Sequence, residues 1–149
     1  MLAESTIVKP IEILLVEDNP GDVTLTKMSL AKSKLLNNLN IVNDGEKAIL
    51  YLHREGAFVN AVKPDLILLD LNLPKKSGLE VLEEIKSAEN LKRIPTVILT
   101  TSKKEEDVLK SYNNHANCYI TKPVDLAQFH TVVNNIENFW FSIVVLPPK

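Results

Sequence analysis

Four places along the chain set carboxylate, hydroxyl or ammonium groups directly after a short aliphatic run. Glu17 and Asp18 follow EILLV, Asp70 follows LILL, Thr100 and Thr101 follow TVIL, and Thr121 and Lys122 follow CYI. Acids brought together from two such runs repel one another and raise each other's pKa. A divalent cation relieves that repulsion, and an all-oxygen site suits Mg²⁺. Mg²⁺ also keeps positions for water or phosphate oxygens, so the same set suits phosphoryl chemistry. Thr100 would supply a neutral donor to a phosphoryl oxygen, and Lys122 a positive charge opposite it. Phosphoryl transfer depends chiefly on positioning and charge neutralisation, which these groups provide. A metal-bound carboxylate attacks as it stands and needs no separate general base.

These groups do chemistry together only if the fold gathers them. Five runs rich in branched aliphatics recur, at residues 12–16, 39–42, 66–69, 96–99 and 118–120. The segments between them carry helical spacing. Val23, Met28, Leu30 and Leu35 are assigned to a first helix, and Ala48, Ile49 and Leu52 to a second. Leu79, Leu82 and Ile85 fall on one face of a third. Val108 and Tyr112 mark a fourth, and Leu126, Phe129, Val132, Val133 and Ile136 a fifth. Strand–helix alternation repeated five times predicts an α/β fold, a doubly wound five-stranded parallel sheet with five helices. Residues 55–64 read as a longer surface loop, and Pro123 lies just past the fifth strand. Ligands of such sheets bind beyond the carboxyl ends of the strands, where all the groups above would lie.

The strings ILLVEDNPGD and LILLDLNLPKKSG, with Thr100–Thr101 after TVIL and then Thr121–Lys122–Pro123, resemble the response-regulator receiver family. The resemblance runs over residues 12–141 in matching order and spacing. It implies a flavodoxin-like sheet of order 2-1-3-4-5 and a phosphorelay function. Asp70 matches the phospho-acceptor, Asp18 the carboxylate that binds Mg²⁺ directly, and Glu17 the second acid, usually acting through a metal-bound water. Asn72 matches the residue whose backbone carbonyl binds the metal, and Thr100 and Lys122 the pair that senses the phosphoryl group. Tyr119 matches the switch aromatic, Gly78 the glycine at the start of the third helix, and Lys122–Pro123 a peptide that is typically cis. The form EDNPGD and the long loop before the third strand resemble the small regulators paired with cyanobacterial phytochromes. The implied partner is a sensor histidine kinase, a phytochrome-type photoreceptor kinase. Leu73 in place of a methionine, and Glu-Asp in place of Asp-Asp, are departures that remove no ligand.

Each feature has a plainer reading. Glu17 and Asp18 could be turn and cap residues, because Asn19, Pro20 and Asp22 are themselves helix-start signals. Tyr119 is equally at home as a packing residue. Asp70 resists such a reading, since an unpaired charge at a buried strand end is costly. An aspartyl-phosphate-forming phosphatase on a similar sheet would need a second acid two residues on, where this chain has Asn72. A flavin module would place phosphate against Glu17, Asp18 and Asp22, which repel it. A receiver that signals without phosphorylation would not need the complete acceptor, metal and Thr/Lys set. The domain is therefore read as a phospho-accepting signalling domain that catalyses only its own phosphotransfer and dephosphorylation, rather than as a turnover enzyme.

At 149 residues and 45% hydrophobic, the chain has the size of one domain. Its net charge of −2, with lysines clustered only in pairs, gives no footprint for nucleic acid. Cys118 is the single cysteine, and His53, His115 and His130 show no metal-ligand spacing. No secretory signal or membrane span is read, so the expected location is cytoplasmic. Residues 1–11 read as an N-terminal extension and 142–149 as an apolar C-terminal one, with no output domain. Trp140, Ile143, Val144 and Val145 look surplus to one small core, and Phe139, Trp140, Ile143 and Val144 are expected to form a homodimer interface.

Overall fold

The computed structural model describes residues 10–33, 35–101, 105 and 118–135. In chain order these form β1 (Ile11–Val16), α1 (Pro20–Ala31), β2 (Asn37–Val42), α2 (Gly45–His53), a 3-10 turn (Gly56–Phe58), β3 (Leu66–Asp70), α3 (Gly78–Ser87), β4 (Thr96–Thr100), β5 (Cys118–Thr121) and α4 (Leu126–Asn135). All strands are parallel, in the order β2-β1-β3-β4-β5. The helix marked by Val108 and Tyr112 lies outside the described residues, as do Phe139, Trp140, Ile143 and Val144. Each expected strand is present, lengthened by one or two residues, so that Asp70 and Thr100 end β3 and β4 rather than following them.

The continuous aliphatic runs of β3 and β4 are buried along their whole length, because helices cover both faces of the sheet. Alternation divides their side chains between two cores. Ile13, Leu15, Leu66, Leu68, Val97 and Leu99 pack with Leu30 of α1 and Phe129, Val132 and Val133 of α4. Leu14, Val16, Ile67, Leu69 and Ile98 pack with Ala48 and Leu52 of α2 and Val81, Leu82 and Ile85 of α3.

The helix starts are fixed by side chains. Asn19 Oδ1 accepts the Asp22 N–H at 3.0 Å to cap α1, and Asp44 Oδ1 accepts the Lys47 N–H at 2.7 Å to cap α2. Ser77 and Glu80 form a capping box at α3, with bonds of 3.2 and 3.1 Å. The expected stripe of the first helix needs correction. Met28 is 55% exposed, and Leu35 lies beyond the end of α1, although it still packs on the core. Leu30 is buried and Val23 packs against the core as expected, and Thr26 joins them facing inward. The region 55–64 is a surface loop containing the 3-10 turn. No helix among the described residues is long and apolar enough to cross a membrane.

Candidate functional site

Strand register brings the chemistry-bearing groups to one edge. Val16 pairs with Leu69, so Glu17 and Asp70 leave β1 and β3 side by side. Asp70 pairs with Leu99 and Thr100 with Thr121, which sets Thr100 and then Lys122 one step further across the sheet. Glu17, Asp18 and Asp70 each offer a carboxylate oxygen within 4.8 Å of the others. Glu17 and Asp70 are buried, and Asp18 is exposed at the mouth of the cluster.

Lys122 enters this cluster as a counter-charge. Its Nζ donates to Asp22 Oδ2 at 2.9 Å and to Glu17 Oε1 at 3.2 Å. It also stands 3.3 Å from Asp70 Oδ1, a charge contact without hydrogen-bond geometry. Burial pushes the Glu17 carboxyl up from 4.5 to about 7, and the charge and hydrogen bonding of Asp70 add to the rise. The ammonium of Lys122 and the Asn19 N–H, 3.3 Å from Glu17 Oε2, offset part of it. For Lys122, burial works to lower the pKa. The Asp22 hydrogen bond and the charges of Asp70 and Glu17 outweigh it, so the ammonium is held well above its ordinary value.

Two buried polar atoms at this edge, Asp70 Oδ1 and Thr100 Oγ1, have no hydrogen-bond partner among the described residues. Burying such groups unpaired is costly, which marks the edge as built to receive something. The donor set is all carboxylate oxygen, three groups close enough for one ion to bridge, and it fits a hard divalent cation such as Mg²⁺.

The loop after β3 is held by backbone bonds. The Leu71 N–H donates to the Leu99 carbonyl at 3.2 Å, and the Gly78 N–H to the Leu71 carbonyl at 3.0 Å. Gly78 is a requirement of close approach, since a Cβ there would stand 2.4 Å from the Asp70 carbonyl oxygen. Asn72 lies exposed in this loop, two residues past Asp70. Its far end rests on α2, where a Cβ on Gly45 would meet the Lys76 carbonyl oxygen at 2.1 Å.

Tyr119 is half-buried and packs against the core on the α2 and α3 side of the sheet. The Lys122–Pro123 peptide is cis. His53 is exposed, while His130 is half-buried and bonds Ser33 at 2.9 Å, so neither joins the acidic cluster. The residue that sequence reasoning missed is Asp22. It reads as a helix-start acid, and its partner Lys122 lies 100 residues away. The available signal was its place one helical turn after Asp18, on the first turn of α1.

Comparison with known proteins identifies the family. The response regulator receiver domain family matches residues 13–134. Response regulator Rcp1 of Synechocystis sp. is 49% identical over 138 residues, covering 93% of this chain and 94% of that protein. The phosphorylated cyanobacterial phytochrome response regulator RcpA is a solved structure with 51% identity and a TM-score of 0.72. The alignment covers 94% of this chain and all of that one. The Mn²⁺-bound form of Rcp1 superposes with a TM-score of 0.71 at 49% identity, covering 93% of this chain and all of that one.

Proposed function

Because the chain belongs to the response regulator receiver domain family, we propose that it is a phosphorelay regulator whose Asp70 takes a phosphoryl group from a sensor histidine kinase of the phytochrome type. The observation that carries the reading is the convergence of Glu17, Asp18, Asp70, Thr100 and Lys122 on one sheet edge, with Asp70 Oδ1 and Thr100 Oγ1 buried and unbonded. The similarity to regulators named for phytochrome supports the choice of kinase.

In this reading Glu17, Asp18 and Asp70 would hold Mg²⁺, with the Asn72 backbone carbonyl as a further ligand. When bound, the ion neutralises charge on the transferred phosphoryl oxygens. A carboxylate oxygen of Asp70 attacks phosphorus of a phosphorylated imidazole. The P–N bond breaks, the imidazole leaves with its electron pair and takes up a proton, and an acyl phosphate forms on Asp70. Thr100 Oγ1, at the end of β4, donates to one new phosphoryl oxygen, and Lys122 offers its ammonium to another. Their movement shifts the segments after β4 and before β5, and Tyr119 follows. Hydrolysis of the acyl phosphate restores the carboxylate.

Output then passes through protein contacts in the cytoplasm, including a homodimer formed through Phe139, Trp140, Ile143 and Val144. Light scattering that finds a monomer at micromolar concentration with these residues intact overturns the dimer. The decisive experiment for the chemistry is incubation with acetyl phosphate, with and without Mg²⁺, followed by intact-mass measurement. One Mg²⁺-dependent phosphoryl group is expected on the wild type and none on Asp70→Asn. A gain that survives Asp70→Asn overturns the assignment.

A further inference from the structure

Lys122 has one partner that phosphoryl acceptance does not call for. Asp22 stands at the third position of α1, where an acid ordinarily reaches back to the N–H of the cap residue. Here the Asn19 N–H is already engaged by Glu17 Oε2 at 3.3 Å. Released from capping, the Asp22 carboxylate crosses to β5 and accepts from Lys122 Nζ at 2.9 Å. That is shorter than the lysine's contacts to Glu17 at 3.2 Å and Asp70 at 3.3 Å. Both partners sit on elements tied to one another, because Ser29 Oγ of α1 donates to the Val124 carbonyl at 2.7 Å. The pair is shielded as well, with the Lys122 side chain 12% and the Asp22 side chain 29% exposed.

We propose that Asp22 is a positioning residue that latches Lys122 back from the phosphoryl site, so that the phosphorylated state is reached by drawing the ammonium off Asp22. This rests on Asp70 being the acceptor. Lys122 Nζ makes two hydrogen bonds, to Asp22 and Glu17, and only a charge contact to Asp70. With two of its three N–H groups held by these acids, any displacement of the ammonium towards an added phosphoryl oxygen works against those bonds. Glu17 belongs to the carboxylate cluster that fits a cation, whereas Asp22 stands outside it. Asp22 therefore keeps its hold on the lysine after the cluster has been neutralised, and it alone continues to compete with the phosphoryl group.

The test is a double-mutant cycle on beryllofluoride binding in saturating Mg²⁺, measured by titration calorimetry on the full chain. Asp22→Asn is expected to bind beryllofluoride about fivefold tighter than wild type, the scale of losing one competing ion pair. The gain should vanish in a Lys122→Gln background, and Asp22→Glu, which keeps the charge, should stay close to wild type. Because the expected effect is a gain, partial misfolding cannot imitate it. Unchanged or weaker binding by Asp22→Asn overturns the latch. So does an equal change in both backgrounds, which would mean that Asp22 acts on the ion rather than on the lysine. Wild-type protein that binds no beryllofluoride overturns the acceptor reading itself, a separate and recognisable failure.

Discussion

Replacing Glu17 by Gln should make the metal-free protein more stable, and only in one pH range. Glu17 is 1% exposed, and its carboxyl is raised from 4.5 to about 7 by burial beside Asp70. Between those values the folded chain holds a proton that the unfolded chain has released. Stability therefore falls as pH rises across that window and is level on either side of it. At 1.36 kcal/mol per unit, the full rise corresponds to a cost of about 3 kcal/mol above pH 7. Glutamine carries no charge to desolvate and so avoids that cost. Urea unfolding in EDTA should show Glu17→Gln more stable than wild type by about 2 to 3 kcal/mol at pH 8 and by under about 1 kcal/mol at pH 5. Saturating Mg²⁺ should reverse the order at pH 8, because the wild type recovers its carboxylate as a charged partner and the variant does not. A variant no more stable than wild type at pH 8 in EDTA refutes the reasoning. An advantage equal at pH 5 and pH 8 refutes it too.

Other outcomes follow from the same geometry. Mg²⁺ affinity measured calorimetrically should fall towards about tenfold as pH is lowered from 8 to 6, because Glu17 gains a proton across that range. Gly78→Ala forces a methyl group against the Asp70 carbonyl oxygen, so it should cost about 2 kcal/mol or more in urea unfolding and weaken Mg²⁺ binding as the strand end shifts. Leu68→Ala removes a fully buried side chain from the α1 and α4 core and should cost about 3 to 4 kcal/mol while leaving Mg²⁺ affinity near that of wild type. Ser77→Ala breaks the capping box of α3 and should cost about 1 kcal/mol.

The sheet is legible in the sequence because its central strands are buried on both faces, which turns each into an unbroken aliphatic word such as LILL or TVIL. The site residues are legible for a related reason, since a polar side chain directly after such a word has few places to go except the sheet edge. The first helix is less legible. Its buried positions include Thr26, while Leu25 and Met28 face outward, so apolar spacing misstates which side packs. Of the Asp22–Lys122 pair, the sequence marks only the acid, one turn after Asp18, and not its lysine partner. The pair's geometry depends on α1 being clamped to the segment after β5, a contact between residues nearly a hundred positions apart.

The placement of the loops bears on how this chain tolerates change. At the carboxyl edge of the sheet, Gly45 bears on Lys76, Gly78 on Asp70, and Asp22 on Lys122. An inserted residue in any of these turns would displace a neighbour that belongs to another turn. The connections at the opposite edge, residues 54–65 and 88–95, lie at the other end of the strands from the carboxylate cluster. Exposed positions there can drift without disturbing that cluster, while Leu91 and Ile94 stay fixed in the core. Descendants of this sequence can acquire new surface features at that end while the carboxylate cluster keeps its geometry.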